Sequence, residues 1–178
     1  MDAHAVIDSL TPLVPGAAFE AAPSVDFATV YVPGEQIVAT CQALRDSLNF
    51  EVLVEVTAAD YLPRAPRYEV VYHLLSVSKR LRLRLKVRVA ADGTLPTVQS
   101  VYPGAGWLER EVWDMFGIVF DGHNDLRRLL MPEDWEGHPQ RKDYPVQIQK
   151  AAQTYAPLEV SEEQFRANLE RDRVKRPH

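Results

Sequence analysis

The ten residues from Arg80 to Val89 read RLRLRLKVRV. Leu81, Leu83, Leu85, Val87 and Val89 share one face only where successive side chains alternate, as they do on a β-strand; a helix would spread arginine all round its axis. A strand of this kind needs sheet neighbours and a layer over its apolar side. The residues just before it supply a neighbour: Tyr68 to Val77 reads as a second strand, and Ser78-Lys79 as the turn of an antiparallel hairpin. Phe50 to Thr57, with Phe50, Val52, Val54 and Val56 alternating with Glu51 and Glu55, is predicted to be a half-buried strand. Phe27 to Val32 is a brief strand before Pro33-Gly34, and the proline-bearing run from Ala58 to Arg67 is a loop. Ile37, Val38, Cys41, Leu44 and Leu48 recur at helical spacing, which predicts an amphipathic helix from about Glu35 to Leu48. Ala3 to Leu10 gives a short helix stopped by Pro12 and Pro15. The fold class is α+β: a mainly antiparallel sheet with helices packed on one face, followed by an extended irregular C-terminal segment and a terminal helix.

The polar side of the alternating strand carries Arg80, Arg82, Arg84, Lys86 and Arg88. Such a row is either the solvated outer face of a sheet, paired across strands with Glu51, Glu55 or Glu69, or a surface for an acidic partner or RNA. The whole chain of 178 residues carries a net charge of -5, which argues against nucleic acid as a main partner. Its single cysteine, Cys41, falls within the helical period and reads as a small core side chain. One thiol cannot hold an iron-sulfur cluster or a thiolate zinc site. The N-terminal MDAHAVIDSL lacks the basic head and apolar run of a signal peptide, and no apolar run approaches the length of a membrane span, so any membrane contact is expected through partners.

A different texture begins at Trp107. The stretch to Pro145 contains Trp107, Trp113 and Trp135, which are all the tryptophans, among charges, glycines and prolines. Leu108, Val112, Met115 and Phe116 form a narrow helical stripe closed by Gly117, and Arg110 and Asp114 stand four apart as a possible ion pair. Beyond Gly117 the period is lost. An irregular segment of that length, rich in apolar anchors, is expected to be pinned against its own sheet and a partner. The organisation expected is therefore an α+β domain over residues 1–117 and, over residues 118–178, an extended docking segment with a C-terminal helix. Ser161-Glu162-Glu163-Gln164 is a capping-box pattern that opens this helix, which is predicted to run to about Val174. Glu109, Glu111, Asp114, Asp121, Asp125 and His123 could be imagined as a metal or acid-base site, but their spacing is not that of ligands on one helix face. The pairs Arg127-Arg128 and Arg141-Lys142 read as carboxylate-binding groups, and no phosphate-binding glycine loop is present.

Three runs in this stretch carry a family resemblance: E-R-E-x-x-D-x-F-G-I from Glu109 to Ile118, G-H-x-D-L-R-R from Gly122 to Arg128, and P-x-D-W-x-G-x-P-x-R-K-D-Y-P from Pro132 to Pro145. Together they resemble the hallmark segment of the C subunit of NADH:quinone oxidoreductase, respiratory complex I. The motif positions are Glu109, Arg110, Glu111, Asp114, Phe116, Gly117, Gly122, His123 and Asp125. Asn124 departs from the family's usual proline, so the turn there rests on a side-chain hydrogen bond rather than a fixed ring. The resemblance implies a structural subunit with no catalytic, cofactor-binding or metal-binding residue of its own; FMN, the Fe-S clusters and quinone belong to other subunits. It also implies docking on the D subunit, with the B and I subunits nearby, on the cytoplasmic face of a bacterial membrane, or the matrix face in mitochondria. The residues expected at the interface are Arg127, Arg128, Trp135, His138, Arg141, Lys142 and Tyr144. Equivalent subunits of membrane-bound hydrogenases or plastid-type dehydrogenases are the related alternatives, and a stand-alone RNA-binding module is the distant one.

Overall fold

The computed structural model describes residues 2–145 and 161–167. The alternating strand is realised as β5, and the elements in chain order are α1 (Ala3–Leu10), β1 (Glu20–Ala21), β2 (Thr29–Tyr31), α2 (Ile37–Asp46), β3 (Val52–Asp60), β4 (Tyr68–Ser76), β5 (Leu81–Val89), β6 (Thr94–Pro96), α3 (Ala105–Phe116) and β7 (Val119–Asp121). The main sheet has the order β1-β2-β5-β4-β3 and is antiparallel except for β2, which runs parallel to β5. In the hairpin Tyr72 faces Leu85 and Leu74 faces Leu83, so the leucine side of β5 and the aromatic side of β4 form one apolar surface. Val6, Leu10, Ile37, Cys41, Leu44, Val112, Met115 and Phe116 from the three helices pack into the same core. Cys41 is fully buried there, and desolvation pushes its thiol pKa up to about 12, leaving it an inert core group.

The outer face resolves the row of cations. Arg84 pairs with Asp26 at 2.9 Å, Lys86 with Glu69 at 3.0 Å and Arg88 with Glu20 at 2.8 Å. Arg84 also lies over the Phe27 ring, and Lys86 and Arg88 over Tyr31. Glu69 also accepts from the Tyr31 hydroxyl; desolvation opposes its ionisation, but the bonds from Lys86 and Tyr31 outweigh that and hold its pKa down. Glu51 instead accepts from the Val77 amide and the Ser78 hydroxyl in the hairpin turn, and Glu55 stands opposite His73. The basic row is thus largely the inner half of an ionic ladder, which favours the solvated-face reading over RNA binding.

Several boundaries and one strand register differ from the sequence reading. β3 does not alternate as Phe50, Val52, Val54, Val56 would suggest: the register shifts between Leu53 and Glu55, turning Leu53 to the core side and leaving Val54 55% exposed. The bulge places one extra residue against β4, and pattern alone cannot reveal it. The same strand runs on to Asp60, so Ala58 to Asp60 are not loop. The turn before β5 extends to Arg80, which has a positive φ of 53°. The segment after Gly117 is not wholly irregular, because β7 pairs in parallel with β6.

The compact unit reaches Tyr144, and Pro145–His178 forms a second one. Residues 118–144 are thus bonded into the first unit. In the second, the Ser161 hydroxyl accepts from the Gln164 amide and the Gln164 side chain accepts from the Ser161 amide, the reciprocal bonds of a capping box. The predicted continuation of that helix to Val174 lies outside the described residues.

Leu85→Ala is expected to cost about 2–5 kcal/mol in urea unfolding because it empties a fully buried site, whereas the exposed Arg82→Ala should fall within about 0.5 kcal/mol of the parent.

Candidate functional site

The motif residues gather around the C-terminal half of α3. A helix leaves its last four carbonyls without intrahelical donors, and here the chain that follows, a strap comprising residues 125–144, returns to supply them. Gly117, with φ 74°, turns left-handed and donates its own amide to Trp113 O. Asp114 O accepts from Arg128 at 3.2 Å and from His138 Nδ1 at 3.0 Å, Met115 O from the Gln140 amide at 3.0 Å, and Phe116 O from Arg141 Nε at 2.5 Å. A Cβ at Gly117 would collide with Arg141 and His138, so this glycine is needed both for its backbone angle and for the close approach of the strap.

Asp114 fastens the other side of the strap. One carboxylate oxygen, Oδ2, accepts from three consecutive amides, Leu129 at 3.0 Å, Leu130 at 2.7 Å and Met131 at 2.9 Å, while Oδ1 accepts from Arg128 at 2.9 Å. Burial alone would raise this carboxyl's pKa, but the four bonds outweigh it and hold it below the usual range. The second Arg128 nitrogen, Nη2, donates to Trp135 O at 2.7 Å and Gly137 O at 2.9 Å, closing the loop on itself. The expected Arg110–Asp114 pair therefore does not form. Arg110 donates to Arg127 O and Arg128 O and pairs with Asp125, because the guanidinium reaches the strap's carbonyls while Asp114 is taken by its amides.

The other positions fall into place around this hub. Fully buried Glu109 accepts from the Thr97 hydroxyl at 2.5 Å and the Val98 amide at 2.8 Å, and desolvation raises its pKa against those bonds. His123 bonds Gly106 O through Nε2 and accepts from the Asp125 amide at Nδ1; Gly122 turns with φ 80°. Asp125 is held by Arg127 at 2.5 Å, and Glu111 is exposed. Glu109, Asp114 and Asp125 are thus engaged separately, and among the described residues no group of three or more His, Cys, Asp or Glu could hold a metal ion.

At the far end sits a second hub that the sequence did not disclose. Asp60, at the end of β3, accepts from the Leu62 amide, the Lys142 amide at 2.9 Å and the Arg67 guanidinium at 2.7 Å. Arg67 also pairs with Asp143 at 2.6 Å. The Arg67 bonds hold the Asp60 carboxyl well below its usual range. An acid seven residues before an arginine, across a proline-bearing turn, is the only signal the sequence offers. Trp135 stacks on Tyr144, and the Tyr144 hydroxyl donates to Glu136 O. Of the residues expected at an interface, Arg128, Trp135, His138, Arg141 and Tyr144 are partly buried in contacts within this chain, whereas the exposed Arg127 pairs with Asp125 and the exposed Lys142 donates its backbone amide to Asp60. Trp107 is 62% exposed and Leu130 56%, and neither was among those expected.

The pH dependence has two signs. Burial lowers the His138 pKa and hydrogen bonds lower that of Asp114, so unfolding takes up protons at each site. Stability is expected to fall as the pH drops below 6.5 and again below 3.8, through each group's lower folded value. Glu109 runs the other way: its contribution is intact below 4.5 and lost as pH rises through its raised folded value. Glu109→Gln should therefore gain stability relative to the parent as the pH rises above 4.5, and a difference that does not vary with pH in urea unfolding would contradict this assignment. Gly117→Ala should cost more than about 1 kcal/mol from its positive φ alone.

Residues 30–150 match the family described as the respiratory-chain NADH dehydrogenase 30 kDa subunit. The chain is 44% identical over 158 residues to the NADH-quinone oxidoreductase C subunit of Roseiflexus sp. (strain RS-1), an alignment covering 87% of this chain and 91% of that protein. It is 52% identical over 122 residues to the corresponding C subunit of Salinispora tropica, covering 66% of this chain but only 50% of the relative. A chain in the solved structure of the membrane-bound sulfane sulfur reductase, an archaeal respiratory membrane complex, superposes with a TM-score of 0.68 at 28% identity, covering 80% of this chain and 85% of that one. The motif that wraps α3 is thus part of a match that spans most of the sheet as well, and the chain belongs to the family of the respiratory-chain NADH dehydrogenase 30 kDa subunit.

Proposed function

We propose that this chain is a non-catalytic structural subunit in the peripheral arm of an NADH:quinone oxidoreductase. In this role it supports electron transfer from NADH to quinone, coupled to proton translocation, while FMN, the Fe-S clusters and quinone are held by other subunits. The observation that carries the reading is the use made of the motif. Arg110, Asp114, Gly117, Arg128, His138 and Arg141 are spent on fixing the strap to α3, so the motif builds a surface. That surface presents Trp107, Arg127, Leu130 and Lys142 outward, a mixture of apolar anchors and cations suited to a protein interface. The partner is the D subunit, with the B and I subunits nearby. Arg128, Trp135, His138, Arg141 and Tyr144 act in docking by holding the shape of the strap. Membrane contact comes through the complex, on the cytoplasmic face of a bacterial membrane or the matrix face of a mitochondrial one.

Similarity to a chain of a sulfane sulfur reductase supports a second reading, the equivalent subunit of a related respiratory membrane complex. The 44% identity to an NADH-quinone oxidoreductase C subunit, over nearly the whole relative, favours the first.

Co-expression of the full chain with the D subunit of the same organism tests the role. Stoichiometric co-purification is expected, and Trp107→Ala should weaken it by about 30-fold in Kd, as loss of an interfacial tryptophan does. Retention of RNA in low salt without the D subunit would overturn the proposal.

A further inference from the structure

The strap is joined to the domain in an unusual way. From Asp121 to Pro145 no residue is buried, although the α3 residues beneath, Asp114, Met115 and Phe116, are. Met131 is only partly buried against the core. The strap therefore has no apolar core of its own. Its adhesion is largely polar and collected at three points: Arg110 with Asp125 and the Arg127 and Arg128 carbonyls, the Asp114 carboxylate with the end of α3, and Asp60 with Arg67. At its entry lies Gly122 with φ 80°. A segment held in this way can separate without exposing the sheet, because the groups it releases are hydrogen-bonding groups that water can satisfy.

We infer that residues 125–144 form a latch: they close on α3 in the free subunit with Asp114 as the catch, and open as one unit while the sheet stays folded. The closed latch presents Leu130 and Arg127 in a fixed geometry before any partner arrives, so docking does not have to order the segment. Its meaning for docking rests on the proposed function; its existence does not. Once Asp114 is neutralised, three amides and the Arg128 guanidinium lose their shared charged acceptor. The strap then loosens from the end of α3, and its opening is complete once the Arg110 and Asp60 contacts also release.

Hydrogen-deuterium exchange on the full chain tests this directly, comparing the parent with Asp114→Asn and Arg128→Gln. The second variant alters only the strap's side of the catch, so it reports even where the buried Asp114→Asn compromises folding. In the parent, peptides covering 128–142 should be protected. In the variants their exchange should quicken by at least about 10-fold, the usual effect of losing a hydrogen bond to a charged group, while peptides covering β4 and β5 stay unchanged. Unprotected 128–142 in the parent, unchanged protection in the variants, or strap and sheet quickening together in Arg128→Gln would each overturn the latch. Failure of the protected parent chain to capture the D subunit would overturn the docking role alone.

Discussion

One carboxylate organises the part of this molecule that distinguishes it from an ordinary α+β layer. Asp114 is fully buried and ionised on a helix, a placement that would cost several kcal/mol without compensation. Three amides in a row and an arginine provide it, and those donors come from a segment with no secondary structure to hold them in place. The dependence is mutual: the helix needs the strap to satisfy its carbonyls and its charge, and the strap needs the helix to have any defined path. Arg128 links the two needs, since one of its nitrogens meets the Asp114 side chain and carbonyl while the other closes the Trp135–Gly137 turn.

The sheet beneath solves a different problem. Its inner face is apolar and covered by three helices, while its outer face sets cations of β5 against acids from β4 and the N-terminal segment, with tyrosine and phenylalanine rings between them. The more exposed of these pairs, Arg84–Asp26 and Arg88–Glu20, add little to stability, while Glu69 in the third is buried. Together the pairs fill the face and neutralise it, so the positive row that stands out in the sequence is not a free positive field in the structure. Charge that looks available in a sequence is consumed wherever topology brings its complement alongside, and here β1 and the turn before β2 do so from more than fifty positions away.

What could be read beforehand follows from the range of the interactions involved. The β4-β5 hairpin, the Gly117 cap and the Ser161 capping box are local, and their residues carry the whole signal. The bulge in β3 and the parallel pairing of β2 on β5 depend on neighbours distant in sequence, and periodicity is blind to both. The same limit explains the site. Arg110 and Asp114 have the spacing of an ion pair, but each has a better partner more than ten residues ahead, so the local rule lost to a tertiary one. The family motif spans the strap's sequence. It did not show that Arg128 and Arg141 turn back onto α3, nor that Asp60 and Arg67 would receive the strap's far end.

The coupling between Asp114 and Arg128 is the most direct measure of whether strap and helix are one construction. A double-mutant cycle of Asp114→Asn and Arg128→Gln on the stability of the full chain isolates it from the separate cost of each change. A coupling of at least about 1 kcal/mol is expected, since the pair is shielded from solvent and shares its partners. Additive effects, with no coupling beyond about 0.3 kcal/mol, would show that the two side chains act independently and that the strap is not fastened by this charge.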